Sequence, residues 1–385
     1  MALFRILVAS ALMAMAARAT VAASGPLPEP VVLRNSDGME VHILPVGASL
    51  QRLLVPDAAG QLADVLLGFD SKEVYKNGSN PQMGSTLGRV GGRIAGAQFT
   101  LDGITYHLDA NDGNNTLHSG AQGWDKQTFA VEEVGRAGSS PSWVRLAYHS
   151  SDGEGGFPGS VNVSVTYALH EDNVLSMEVT AQSDAPTPVS SYGHPYFNLG
   201  GHASGSVLGH ILTINASQYL PFAGDTLIPA GTILPVEGTI YDFRQGQALG
   251  DNIDTLLNTT LGGWDNTWAL FGLDQDAAEE VQDFEAVPTP EWAATLVDPA
   301  SGRGVHIFTT TPGMVVYTGN WLDGSVPGKG GVLYAPHDGV AIECGQFPNA
   351  VNTPAFPSVV LRPGSVYRNR VEWRFSAEEA AGTAR

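Results

Sequence analysis

Val161-Asn162-Val163-Ser164-Val165-Thr166-Tyr167-Ala168-Leu169 alternates without a break, with a large apolar residue at every odd position and a small or polar one at every even position. Successive side chains of a strand point to opposite faces, so the stretch reads as a β-strand with one face buried. Glu171-Asp172-Asn173 turns the chain, and Leu175, Met177 and Val179 then resume the alternation. Val41–Leu44, Ala48–Val55 and Asp64–Phe69 upstream read as further strands, and the same rhythm returns at Thr295–Val297, Val305–Thr309, Val315–Thr318 and Val371–Phe375 downstream. Phe99–Leu108 reads as a hairpin closed by Asp102-Gly103, a dipeptide that tolerates positive φ. Beyond the N-terminal segment, helical periodicity is confined to a weak trace over Ala277–Phe284, and Ala377–Arg385 reads as a frayed tail. Strands spaced by roughly 8–12 residues with turn signals between them predict an all-β protein, a large single-domain β-sandwich. Pro186-Thr187-Pro188 and Pro288-Thr289-Pro290 are too short to be domain linkers, and no fixed-period repeat is present.

Composition narrows the function classes. With 39 acidic against 19 basic residues the formal charge is −20. Such a chain has little with which to neutralise a phosphate backbone, which argues against nucleic acid. It suits a neutral or cationic small molecule better, and it argues against sugar phosphates. Between Arg5 and Arg18 lies the apolar run Ile6–Ala17, and Val21-Ala22-Ala23 offers small residues for cleavage. Residues 1–23 therefore read as a secretory signal, with an uncleaved anchor as the alternative, and the expected location is extracellular with no membrane contact once the signal is removed. Five glycosylation sequons begin at Asn77, Asn114, Asn162, Asn215 and Asn258. Cys344 is the one cysteine, so no intrachain disulfide forms.

Candidate chemistry gathers in five stretches. Ser190-Ser191-Tyr192-Gly193-His194-Pro195-Tyr196-Phe197-Asn198-Leu199-Gly200-Gly201 sets a titratable imidazole among aromatics, and Pro195 biases His194 towards extended backbone. A half-buried structural histidine is the alternative there. In Val340-Ala341-Ile342-Glu343-Cys344-Gly345, Glu343 ends an apolar strand and heads a loop; apolar neighbours would raise its pKa and suit it to general base work, unless it is simply solvated. Gly88-Arg89-Val90-Gly91-Gly92-Arg93-Ile94 lacks the Walker lysine, but Arg93 can donate paired N–H groups to sugar oxygens; a surface turn with solvated arginines is the alternative. His118 follows the polar turn Asn114-Asn115-Thr116-Leu117. Asp265 lies between Trp264 and Trp268, where indoles could stack on a pyranose and a carboxylate accept hydroxyl hydrogen bonds, or where a turn aspartate could sit beside two core aromatics. Neither His-x-His, His-x-x-x-His nor a cysteine cluster occurs, so no metal is expected.

Taken in order, these stretches resemble the aldose 1-epimerase (galactose mutarotase) family. The likeness runs from Gly88-Arg89 and Arg93-Ile94 through Leu117-His118-Ser119-Gly120, His194-Pro195-Tyr196-Phe197-Asn198-Leu199 and Trp264-Asp265-Asn266. It continues through Tyr317-Thr318-Gly319-Asn320, Glu343, Phe347-Pro348-Asn349-Ala350-Val351-Asn352 and Phe356-Pro357-Ser358 to Leu361-Arg362-Pro363-Gly364 and Tyr367. The resemblance implies a β-sandwich enzyme that interconverts the α and β anomers of free hexoses such as glucose and galactose, without a cofactor. It implies Glu343 as catalytic base and His194 as catalytic acid, with Arg93, His118, Tyr196 and Asp265 binding the sugar. A small-molecule sugar is the expected partner, and a monomer or weak dimer the expected assembly. The sequence departs from the family pattern at Gly92, where the family usually has Asn, and at Gly193 and Pro195, where Asn-His-Ser is usual. It departs again at Thr311, in place of a common Gln, and at Cys344-Gly345, in place of Thr-Gln or Thr-Met. These departures keep two alternatives open: an isomerase of the same fold for another hemiacetal or carbonyl compound, and a non-catalytic carbohydrate-binding protein suggested by the two tryptophans. A glycosidase would need two carboxylates at the cleavage point, and only Glu343 beside Asp265 offers them.

Overall fold

The alternating stretch forms a strand over Val161–Leu169 with Val161, Val163, Val165, Tyr167 and Leu169 all buried. Burying a side chain of that size contributes roughly 1.5–3 kcal/mol, which is why the strict period-2 pattern fixes which face looks inward. Its neighbours are Ser142–Ser150 on one side and Val174–Ser183 on the other, both antiparallel and in full register. A computed structural model describes residues 26–135, 141–224, 226–271 and 288–378. The proposed signal segment, the helical trace over 277–284 and residues 379–385 lie outside the described residues.

Among the described residues the largest sheet has nine strands. Their order is Ala130–Val134, Ser142–Ser150, Val161–Leu169, Val174–Ser183, Tyr367–Ala377, Arg303–Thr309, Glu291–Val297, Ile211–Ile214 and Gln247–Ala248. A second sheet has six, in the order Tyr196–Phe197, Val340–Gly345, Gly313–Tyr317, Asp265–Ala269, Gln218–Leu220 and Leu234–Pro235. A third, of four strands, is built from Val31–Arg34, Glu40–Leu44, Ser49–Pro56 and Leu62–Asp64. One hydrophobic cluster draws on all three, joining Ile43 and Leu53 to Val165 and Trp373 and to Val316 and Ile342. The all-β sandwich expected from the sequence is the architecture found, with the helical content described limited to Lys72–Lys76, Asp254–Leu257 and short 3₁₀ turns. No helix among the described residues is long and apolar enough to cross a membrane.

The hairpin forms as read, Gln98–Leu101 against Ile104–His107, with Asp102 at φ 50 and Gly103 at φ 81. Two local readings are corrected. Asp64–Phe69 is not a strand along its length: the strand is Leu62–Asp64, and beyond it Leu66 makes an isolated bridge to Phe197. Ala377 belongs to the long strand Tyr367–Ala377 rather than to a tail, because it pairs with Arg303.

Leu146 is fully buried in the nine-stranded sheet. Leu146→Ala lowers stability by about 2–5 kcal/mol, read as a lower denaturant midpoint at unchanged slope.

Candidate functional site

Strand register in the six-stranded sheet assembles one half of the site. Directly opposed residues of antiparallel strands share a face, and so do residues two apart in one strand. Glu343 opposes Val315, Tyr317 opposes Asp265, and Tyr196 opposes Ala341. Glu343, Tyr317, Asp265 and Tyr196 therefore lie on one face. The other face carries Phe197, Ile342, Cys344, Met314, Val316 and Trp268, all in the main core. Glu343 lies inside Val340–Gly345, all six residues of which are buried, and is 4% exposed; it does not end the strand as read from the sequence, and the solvated alternative is not what the chain builds.

Loops supply the other half. His194 sits between the two-residue strands Tyr192–Gly193 and Tyr196–Phe197. Its N–H donates to the Ser85 carbonyl and its own carbonyl accepts from Gly84 N–H, each at 2.9 Å. The imidazole is 3% exposed, with Nε2 3.2 Å from Glu343 Oε1. Its ring lies 5.0 Å from that of Tyr196 and, edge to face, 5.5 Å from that of His118. His118 follows the short strand Thr116–Leu117, which pairs with Arg93–Ile94, and adopts φ 50. Gly92 N–H donates to His118 Nδ1 at 3.0 Å, so Nδ1 carries no proton and Nε2 is the ring's donor. Arg93 donates from Nε to Asp112 Oδ2 at 2.7 Å, at the partly exposed rim of the site.

All six residues singled out in the sequence thus meet in one region. Tyr196 contributes its ring, since its hydroxyl donates to the Pro81 carbonyl at 3.3 Å. Three participants escaped the sequence reading: Asp112, Tyr317 and Tyr192. Asp112 could have been suspected from the polar turn that precedes His118. Tyr317 heads the Tyr317-Thr318-Gly319-Asn320 stretch that carries part of the family likeness, which was its signal, whereas nothing local marks Tyr192 apart from its neighbouring aromatics.

Burial dominates the electrostatics. It pushes the Glu343 carboxyl well above its usual range, helped by the nearby charge of Asp265 and opposed by Arg93 and by the nearby Tyr192 hydroxyl. It pushes the His194 imidazole down to about 4 and holds His118 well below the usual histidine range. Asp265 is partly exposed, yet enough protein surrounds it that desolvation raises its carboxyl to about 6, with Arg93 opposing and Asp112 reinforcing. Unliganded, burial therefore favours a neutral carboxyl facing a neutral imidazole at the Glu343–His194 contact. The tautomer with a carboxylate and an imidazolium holds the same number of protons. One proton hop over 3.2 Å interconverts them. Among the described residues no cluster of His, Cys, Asp and Glu is arranged to hold a metal ion.

Two sequence readings fail here. Trp264 and Trp268 are fully buried, and their Nε1 groups donate to the carbonyls of Leu249 and Tyr241. They cannot stack on a sugar, which removes the observation that suggested a binding-only protein. Arg89 is not a solvated surface arginine either: it is 2% exposed and donates to Ser150 Oγ, Thr187 Oγ1 and the carbonyls of Pro158, Ser150 and Ser151.

Residues 29–374 match the family model described as aldose 1-epimerase. Among named relatives, galactose mutarotase of Rattus norvegicus is 38% identical over 342 residues, covering 89% of this chain and 92% of its own. Aldose 1-epimerase of Escherichia coli K12 is 32% identical over 351 residues, covering 90% and 95%. Among solved structures, an aldose epimerase homologue from C. elegans superposes with a TM-score of 0.78 at 29% identity, covering 92% of this chain and 99% of the other. Galactose 1-epimerase from Lactobacillus acidophilus gives 0.73 at 26% identity, covering 90% and 94%. The fold and site define an isomerase built on the galactose mutarotase sandwich. The chain belongs to the aldose 1-epimerase family.

Trp268→Phe separates core from site. It destabilises the protein by about 1–3 kcal/mol by leaving a void and losing the indole hydrogen bond, while the KM for substrate stays within error of the wild type.

Proposed function

We propose that the protein is a mutarotase of free aldohexoses, galactose and glucose foremost, with Glu343 as base and His194 as acid. The observation that carries this is the 3.2 Å approach of Glu343 Oε1 to His194 Nε2 in a site from which bulk water is largely excluded. Anomerisation needs a proton taken from O1 and a proton given to O5, two oxygens bonded to the same carbon. A base and an acid in mutual contact can reach both at once, and each typically contributes roughly 10²–10⁴-fold.

Glu343 as carboxylate removes the O1 proton while His194 as imidazolium protonates the ring oxygen. The C1–O5 bond breaks and the C1 carbonyl forms. Rotation about C1–C2 turns the other face of the aldehyde towards O5, and reclosure returns the proton from Glu343 to O1 and a proton from O5 to His194. Arg93, His118 through Nε2–H, and Asp265 are the groups available to sugar hydroxyls. The departures at Gly92 and Thr311 bear on which hydroxyls are gripped, not on this proton path.

The active form of the pair holds one transferable proton. Adding a second below about pH 4, where burial has put His194, removes the base. Removing the last one, above the elevated Glu343 range, removes the acid. Activity therefore follows a broad plateau bounded on both sides. Polarimetry of fresh α-galactose and α-glucose should show accelerated mutarotation. Glu343→Gln should lose at least about 10²-fold in kcat, and His194→Asn likewise. Acceleration that persists in Glu343→Gln rules the assignment out.

The secretory reading belongs to the same proposal. Asn77, Asn114, Asn162, Asn215 and Asn258 are all exposed, as glycan acceptors must be. Protein secreted by eukaryotic cells should lose apparent mass on treatment with an amidase that releases N-linked glycans, and an unchanged band rejects glycosylation.

A further inference from the structure

Adjacent strands of the six-stranded sheet put one row of side chains across the site. Tyr196 opposes Ala341, and in an antiparallel register two residues back on one strand meet two residues on along the other. Carried to His194, that register falls level with Glu343, in agreement with the 3.2 Å contact between Nε2 and Oε1. On its other flank Glu343 is directly opposed by Val315, and Val315 in turn by Thr267. The row therefore runs from acid to base to valine, and ends on a threonine that is buried. Neighbouring strands lie about 4.8 Å apart, so side chains of one row meet the same small ligand.

Val315 does not behave as a core residue. Met314 and Val316 on either side of it are buried in the main hydrophobic cluster, whereas Val315 is partly exposed and belongs to none of the clusters among the described residues. Direct opposition gives it the same face as Glu343, so the surface it leaves open is part of the site. The row beyond it, Gly345, Gly313 and Ala269, brings no polar side chain to that side. Phe347 closes the space over Gly313, where a Cβ would stand 2.8 Å from the ring Cδ1. Asp265 lies on the diagonal, opposite Tyr317, roughly 7–8 Å from Val315 by sheet geometry. The wall beside the base, on the flank away from His194, is thus apolar.

We infer that Val315 sets specificity at C2 of the sugar: it forms an apolar wall there, and the protein turns over 2-deoxyaldohexoses as readily as the parent hexoses. The inference rests on the reading of Glu343 as base and His194 as acid. C1 of a pyranose has two ring neighbours, O5 and C2. With O1 on Glu343 and O5 on His194, C2 is turned away from His194, along the row towards Val315. A valine side chain neither donates nor accepts a hydrogen bond, so a 2-hydroxyl placed against it gains none from it. The two kinds of wall have very different consequences. A site that hydrogen-bonds a substrate hydroxyl rejects the analogue lacking it by about 10⁴–10⁵, because its own polar groups are left unpaired. An apolar wall leaves nothing unpaired when the hydroxyl is removed.

Anomer exchange followed by NMR, corrected for the uncatalysed rate, tests this with galactose, glucose and their 2-deoxy counterparts. In the wild type, kcat/KM for each 2-deoxy sugar should lie within about tenfold of its parent. A larger loss overturns the assignment, since a polar group must then be reading the 2-hydroxyl. Val315→Thr keeps the shape of the side chain and adds a hydroxyl beside C2. In that variant the ratio of kcat/KM, parent over 2-deoxy, should rise about tenfold, the equivalent of one hydrogen bond. Taking the ratio cancels any effect of the new hydroxyl on Glu343, which both sugars use alike. Val315→Leu crowds the same space and should lower the ratio, through a raised KM for the parent sugar. A ratio that stays at the wild-type value in either variant places Val315 away from C2 and overturns the assignment. Glu343→Gln runs alongside: if the wild type accelerates neither the hexoses nor their 2-deoxy forms, or if Glu343→Gln is fully active, it is the acid–base reading that fails.

Discussion

A carboxyl and an imidazole in contact, each less than a twentieth exposed, form an arrangement that water would ordinarily dissolve. Charging either group alone in such a place is expensive, and burial pushes both towards neutrality. What makes the pair useful is that neutrality and charge separation differ by a single proton moved over 3.2 Å, with no change in the number of protons bound. The surrounding charges are graded around that balance. Arg93 favours a negative Glu343 and Asp265 opposes it. The Arg93–Asp112 ion pair fixes the guanidinium at the rim, so that its charge acts from a set position. A site of this kind carries no net charge to be compensated, and substrate hydroxyls need only tip an equilibrium that already exists.

Holding two buried groups in one geometry demands supports that do not flex. Three residues of the site face, Glu343, Tyr317 and Asp265, stand on adjacent strands of one sheet whose reverse face is packed into the main core. Moving any of them would shift the core with it. The loop residues are fixed by backbone contacts instead. His194 is bonded through both N–H and carbonyl to the 84–85 segment, and Gly92 both donates to the His118 ring and accepts from its N–H. Asn349, at φ 58, donates its N–H to the Arg93 carbonyl and accepts from Ala95 N–H through Oδ1. The Phe347–Asn352 stretch that carried part of the family likeness is thus a brace for the arginine loop.

How much of this the sequence discloses depends on the range of the interaction involved. Strict alternation at 161–169 and the Asp102-Gly103 turn are local signals, and the corresponding elements form where they are read. The chemistry-bearing types at 93, 118, 194, 265 and 343 stand out by composition, and the fold brings them together. What local reading cannot supply is depth. Glu343 looks like a strand end because Gly345 and Pro348 follow it, but Gly345 still pairs with Gly313, and the strand runs on past the carboxylate. Arg89 looks solvated because glycines flank it, yet its partners are 61–98 residues away. The tryptophans were the avoidable error. Trp264 and Trp268 have the opposite parity to Asp265, so along a strand they face away from it. The period of two that identified the fold also assigns them to the core.

The glycine departures acquire a physical meaning from the same geometry. Read as a sequence, loss of Asn at 92 and of Gln or Met at 345 looks like loss of side chains that would touch a sugar. In three dimensions the space at 345 is filled by the phenol ring of Tyr192. Removal and replacement are coupled: the ring fits only because the Cβ atoms are missing, and the missing side chains leave no void only because the ring is there. Substituting either partner alone would open a cavity or force an overlap, so the glycine at 345 and the Tyr192 ring form one unit of the wall near the base. Glu343 and His194 remain in contact beside it. The proton chemistry and the grip on sugar hydroxyls are therefore separable properties of this site. Divergence at Gly92 and Gly345 is no evidence against a working acid–base pair.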